Sequence, residues 1–220
     1  MTSPKNPGQA LLKKKIDELG LRRDVEDELA EVLEESDSPV KRYILTGTPG
    51  CGKTSIIRSL EVAGYPVVEE AATDIIALRQ AQGIAEPHTQ AAFIDDIVSL
   101  QKQRQMQVAD LASGVQFFDR SPICTYALAV WLGYPISPTL TNEMDRIEKE
   151  QIFQKQVFFV ENLGFCEPTA ARRISFEDAL RFEKVHEETY RHFGYECVQV
   201  PPQELSARVE QIRRYVSACG

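Results

Sequence analysis

Gly47-Thr48-Pro49-Gly50-Cys51-Gly52-Lys53-Thr54 has the residue types and the spacing of a polyphosphate cradle. Every fixed position of the pattern G-x-x-x-x-G-K-[ST] is met. The glycines allow backbone angles that a side chain forbids, so successive N–H groups can turn inward as an anion nest. Thr48, Pro49 and Cys51 complete the loop, and Ser55 follows it. Lys53 offers a point charge to β- and γ-phosphates, and the Thr54 hydroxyl is a ligand for Mg²⁺. The expected ligand is a nucleoside triphosphate with its metal. The guanine-reading pattern N-K-x-D is absent from the chain, which favours ATP.

Three further segments carry groups suited to phosphoryl chemistry. Pro66-Val67-Val68-Glu69-Glu70 places two carboxylates at the end of a β-prone run. Alternation puts Glu69 and Glu70 on opposite faces, so one of them faces the cleft, and Glu70 is favoured. A carboxylate there can take the proton of an attacking hydroxyl. Gln116-Phe117-Phe118-Asp119-Arg120-Ser121 ends a second run with an acid suited to Mg²⁺. A cap for the next helix is the weaker reading of Asp119, because Ser121 already stands where a cap would. Hydrolytic machines commonly carry a glutamate after this aspartate to orient water. Arg120 instead suits the charge on a transferring phosphoryl group. Finally, residues 161–174 form a polar connection ending in Arg172 and Arg173, which reads as a lid reaching over the phosphates.

Elements must bring these groups together. β-prone runs fall at Tyr43–Thr46, Pro66–Glu69, Val115–Asp119, Gln156–Val160 and Cys197–Val200. Helical periodicity falls at Thr54–Ala63, Asp74–Gln82, His88–Ala112, Pro122–Leu132, Pro138–Phe153, Phe176–Phe193 and Gln203–Val216. Ser175 with Asp178 reads as a capping box, and Gly133 and Gly194 stand at helix ends. Strands alternating with helices predict an α/β fold whose parallel sheet is covered on both faces. Phe93, Ile97 and Leu100 read as the inner face of the long third helix, which can also line the cleft. Gln101, Lys102 and Arg104 read as its outer face. Trp131, with Tyr126, reads as core packing. His88, His186 and His192 read as surface or capping residues.

Ahead of the loop, residues 9–19 and 22–35 show two amphipathic helical patterns. Val25, Leu29, Val32 and Leu33 share one face of the second. This extension, residues 1–40, precedes a domain at 41–220, and pairing of two copies through it is one expectation. A net charge of −8 supplies no basic excess for a nucleic-acid backbone. Five scattered cysteines lack metal or disulfide spacing, no apolar run is long enough to cross a membrane, and no signal-peptide core is present. The expected setting is cytoplasmic, with neither nucleic acid nor membrane as partner.

The set GTPGCGKTS, VVEEAA, FFDRSP and AARRIS resembles the P-loop kinase-like domains often labelled AAA-type ATPases, similar to ribosylnicotinamide, deoxynucleoside and thymidylate kinases. The resemblance spans residues 42–216. It implies a P-loop NTPase fold, with a five-stranded parallel sheet in order 2-3-1-4-5, and transfer of the γ-phosphate of Mg-ATP to a small acceptor, a nucleoside or nucleotide. Lys53 and Thr54 match its phosphate and metal positions, and Glu70 (or Glu69) matches its acid after the second strand. Asp119 and Arg120 match its acid–arginine pair, and Arg172 and Arg173 its lid arginines. Ala72-Thr73-Asp74 stand where an arginine often follows the acid. The alternative is a nucleotide-gated switch with slow hydrolysis.

Overall fold

A run such as Gln156-Val157-Phe158-Phe159-Val160 offers no polar face to water, so it has to be covered on both sides. The computed structural model describes residues 40–109, 114–164 and 175–218. Five strands, β1 (Lys41–Thr46), β2 (Val67–Val68), β3 (Val115–Asp119), β4 (Gln156–Val160) and β5 (Glu196–Val200), form one parallel sheet in the order β2-β3-β1-β4-β5. Its register sets Tyr43 beside Phe117, Leu45 beside Asp119 and Ile44 beside Val157. All five carboxyl ends therefore open on one edge.

The pleat sorts each strand between two cores. Tyr43, Leu45, Phe117 and Phe158 pack with Ile56, Ile57 and Leu60 of α1 (Lys53–Val62) and Ile212 of α7 (Leu205–Ala218). Ile44, Phe118 and Val157 face the other way. They meet Ile94 of α3 (Ala92–Ala109), Ile123 of α4 (Pro122–Leu132), Leu140 of α5 (Pro138–Lys149) and Tyr190 of α6 (Phe176–His192). A smaller cluster joins Ile75 of α2 (Ala72–Ala81) to Phe93 and Ile97.

Several boundaries differ from expectation for local reasons. The long helix expected from His88 is a 3₁₀ turn at Pro87–Thr89 followed by α3, because Gln90 is extended. The helix expected to reach Phe153 stops at Lys149, with Gln151 left-handed at φ 48°. Strand β2 keeps only two residues; beyond it, Arg104 of α3 donates to the carbonyls of Glu69 (3.1 Å) and Glu70 (2.8 Å). Arg104 is thus turned in, against expectation, and also pairs with Asp74. Ser175 caps α6 by accepting from the Asp178 amide at 3.1 Å, and Gly133 ends α4 at φ 71°, both as expected. The expected N-terminal helices and most of the 161–175 connection, with Arg172 and Arg173, lie outside the described residues.

Phe117 sits in the middle of the sheet, fully buried against Tyr43, Tyr65 and Phe158. Truncation by Phe117→Ala should lower unfolding free energy by about 3–5 kcal/mol, read as a fall in the urea midpoint at unchanged slope.

Candidate active site

Between the end of β1 and the start of α1 the chain has to reverse within six residues. Gly47 (φ 131°), Gly50 (φ 87°) and Gly52 (φ 87°) take angles closed to most side chains. A Cβ on Gly47 would stand 2.2 Å from the Val160 carbonyl oxygen, so the close passage of β4 also demands glycine. Lys53, buried, donates from Nζ to the carbonyls of Gly47 (2.9 Å) and Thr48 (2.8 Å), with Cys51 Sγ at 3.4 Å. The lysine thereby ties up the carbonyl side of the loop. Thr54 and Ser55 follow, exposed, in the first turn of α1, where the helix dipole favours anions.

Other elements brace the loop from behind and above. Arg208 of α7, 2% exposed, donates to the Cys51 carbonyl at 2.9 Å and the Glu161 carbonyl at 3.3 Å. Burial lowers its pKa, yet a guanidinium remains charged. The hydroxyl of Thr48 accepts from Asn162 and donates to Glu183 of α6, each at 3.3 Å. Burial, together with Glu161 and Glu187, raises the Glu183 carboxyl against the opposing Thr48 bond. No sequence signal marks Arg208 or Glu183, since both reach the loop only through helix packing.

The loop opens onto a cavity of about 460 Å³ lined by Lys53, Thr54, Glu70, Asp119, Arg120 and His186, with an apolar wall beyond. Glu70 is the acid that faces inward, whereas Glu69 pairs with Arg58 outside. Glu70 Oε1 lies 2.6 Å from Arg120 Nε, and its other oxygen accepts from Thr73 at 2.8 Å. Burial would raise the Glu70 carboxyl, but Arg120, then Lys53 and Thr73, outweigh it and hold the pKa below its ordinary range. Arg120 stands at φ 71°, a left-handed angle costing a non-glycine residue about 1–3 kcal/mol. Its amide still bonds the Leu45 carbonyl at 3.0 Å, so the turn throws the side chain into the cavity while the backbone stays in the sheet. Although burial alone would lower its pKa, Glu70 and neighbouring groups raise it, leaving the guanidinium firmly charged.

Beneath Asp119 and Arg120 lies a buried polar floor. Tyr190 Oη sits 2.9 Å from both Ser121 Oγ and Cys124 Sγ, and Thr46 Oγ1 is 3.2 Å from the same sulfur. Ser121 therefore occupies the N-cap position of α4 without capping by its side chain, contrary to expectation. The far wall includes Phe93, Ile97, Leu128 and Trp131, with Gln101 accepting from Thr125 at 2.9 Å. Helix α3 thus lines the cleft as expected, but Gln101 faces it rather than solvent. Trp131 is no core residue: it lines the cavity, 5.3 Å from the Phe182 ring. His186 corrects the expectation most. It is fully buried, with Nδ1 3.0 Å from the Phe182 carbonyl and Nε2 3.4 Å from Arg120 Nη1.

Among the described residues, no cluster of three or more His, Cys, Asp or Glu side chains is built to hold a metal alone. Thr54 and Asp119 line the same cavity, which suits an ion shared with a polyphosphate. No described helix is long and apolar enough to cross a membrane.

A sequence profile for an AAA domain matches residues 42–208. No curated protein matches in sequence. The solved structure of a deoxyadenosine kinase from M. mycoides, with products dcmp and a flexible dcdp bound, superposes with a TM-score of 0.54 at 15% identity, covering 81% of this chain and 100% of that one. The fold is that of the P-loop NTPases, which bind nucleotides.

Burial, then the Arg120 charge, push His186 down to about 3 from an ordinary 6.5. Above pH 6.5 neither folded nor unfolded chain protonates it. Between 6.5 and 3 only the unfolded chain does, so stability should fall as pH drops through that window. Urea midpoints measured from pH 8 to pH 4 should decline less steeply in His186→Gln than in wild type.

Proposed function

Since the chain belongs to the AAA domain family, we propose that it is an ATP-dependent small-molecule kinase, moving the γ-phosphate of Mg-ATP to a hydroxyl of a nucleoside or nucleotide. One observation carries the reading: an anionic Glu70, paired with Arg120, lines the cavity onto which the phosphate loop opens. Arginine rather than glutamate after Asp119 favours transfer over hydrolysis. The mixed wall of Phe93, Trp131 and Gln101 suits a flat heteroaromatic ring.

In this reading the loop amides hold the β- and γ-phosphates. Mg²⁺, held by Thr54 and Asp119, would supply charge neutralisation between the phosphates. Glu70 accepts the proton of the acceptor hydroxyl as its oxygen forms a bond to the γ-phosphorus. The bond from that phosphorus to the β–γ bridging oxygen breaks, and ADP leaves with the electron pair. Lys53 and Arg120 neutralise the charge on the transferring group. We place Arg172 and Arg173 over the phosphates as lid residues on the strength of their position after β4 and before α6. The free thiols of Cys51, Cys124 and Cys197 suit a reducing, cytoplasmic setting.

Incubation with Mg-ATP and a nucleoside and nucleotide panel should yield a phosphorylated acceptor. Release of free phosphate with no acceptor labelled would replace the kinase by a nucleotide-gated switch. Lys53→Ala should reduce turnover by at least about a hundredfold. Glu70→Gln should lower kcat by about 10²–10⁴-fold while the KM for ATP moves little; a change in ATP affinity alone would remove Glu70 as base.

We further propose that residues 1–40 form a helical extension pairing two copies, supported by the apolar stripe of Val25, Leu29, Val32 and Leu33. Light scattering should show two copies for the full chain and one after deletion of residues 1–38; an unchanged number of copies removes this pairing.

A further inference from the structure

Arg120 needs more than Glu70 to serve as a fixed charge. A single bond at Nε leaves the guanidinium plane free to rock, and the side chain starts from a strained backbone angle. The second contact comes from α6, 66 positions along the chain, where His186 Nε2 lies 3.4 Å from Arg120 Nη1. Bonds at Nε and Nη1 fix the plane. Arg120 lines the cavity onto which the phosphate loop opens.

We propose that His186 is a positioning residue for phosphoryl transfer: as a neutral imidazole it accepts from the Arg120 guanidinium and sets the direction in which that charge meets the transferring group. The proposal rests on the kinase reading above.

The donor pattern on the ring fits this role. Nδ1 sits 3.0 Å from the Phe182 carbonyl, an acceptor only, so Nδ1 carries the proton. A neutral imidazole has one donor and one acceptor, and the lone pair is therefore on Nε2, the atom that Arg120 approaches. An imidazolium at this place would present a proton to a guanidinium and leave the Arg120 bond unmade. The site itself excludes that form: the ring is fully buried and has the Arg120 charge beside it.

A mere packing role would be better served by a hydrocarbon. His186 stands 4.1 Å, ring centre to ring centre, from Phe182, which in turn packs 5.3 Å from Trp131 on the cavity wall. Among such neighbours a polar ring without a use carries a desolvation penalty. The same stack joins the acceptor wall to the charged end of the cavity, so the residue that orients Arg120 is in contact with the surface proposed to seat the acceptor.

Two variants separate positioning from packing. His186→Gln keeps an acceptor at about the right reach, and His186→Phe keeps the volume without one. The first measurement needs no acceptor. In ¹⁵N spectra of full-length protein, the Arg120 Nη1–H signal, from the nitrogen that His186 approaches and assigned by its loss in Arg120→Lys, should be sharp and slow to exchange in wild type and His186→Gln. It should broaden or collapse into the exposed arginine envelope in His186→Phe. The second is steady-state transfer from Mg-ATP to the nucleoside panel. His186→Phe should lose about tenfold or more in kcat with the KM for ATP within about threefold, and His186→Gln should recover most of the loss. An unchanged Arg120 signal in His186→Phe overturns the proposal. So does equal impairment of both variants, which is the mark of packing, or a loss confined to KM. Should wild type phosphorylate no member of the panel, the kinase reading fails by that result, and the ¹⁵N spectra still decide whether His186 holds Arg120.

Discussion

A guanidinium removed from water at the end of a central strand must be compensated on the spot, because an unpaired buried charge costs several kcal/mol. Arg120 is that group, and much of the site reads as its compensation. Glu70 arrives from the edge of the sheet to take Nε, and His186 arrives from a helix to take Nη1. Asp119 stands beside it on the chain. The left-handed turn at Arg120 is tolerated because its amide keeps a bond to Leu45, so the backbone remains in the sheet while the charge is thrown into the cleft. The result is a buried, charged arginine bonded at two of its nitrogens on the wall of the cavity.

The phosphate loop solves the converse problem. Its glycines turn amides to one side, so its carbonyls must be satisfied on the other. Lys53 meets those of Gly47 and Thr48, and Arg208 meets that of Cys51. Two cations on the carbonyl side add positive potential behind the loop. Thr48, linked to Asn162 after β4 and to Glu183 on α6, ties the loop to the helix that also carries His186. Helix α6 is therefore in contact with both ends of the proposed reaction, the phosphate cradle and the orienting arginine.

The features legible in residue order alone are local. GTPGCGKT carries its own geometry, since the glycines and the lysine act within one turn of chain. The alternation of apolar runs with helical periods was enough to specify a parallel sheet covered on both faces, because a strand without a polar face has no other home. The capping of α6 by Ser175 and the stop of α4 at Gly133 were legible for the same reason: each is settled by residues no more than a few positions apart.

Tertiary packing decided the rest. Glu70 rather than Glu69 faces the cleft because β2 ends after two residues and Arg104, reaching from α3, holds the carbonyls that follow. Ser121 looks like a helix cap in sequence, but its hydroxyl is drawn to Tyr190 in the floor of the site. Gln101 and Trp131 line the cavity through the angles at which α3 and α4 lie on the sheet. His186 and Arg208 gave no sign at all, for a histidine or arginine on an amphipathic helix has no local partner to betray its use. Their roles exist only where a helix brings them to a charge or a carbonyl 66 and 157 positions away. Short-range stereochemistry writes itself into neighbouring residues; long-range electrostatics does not.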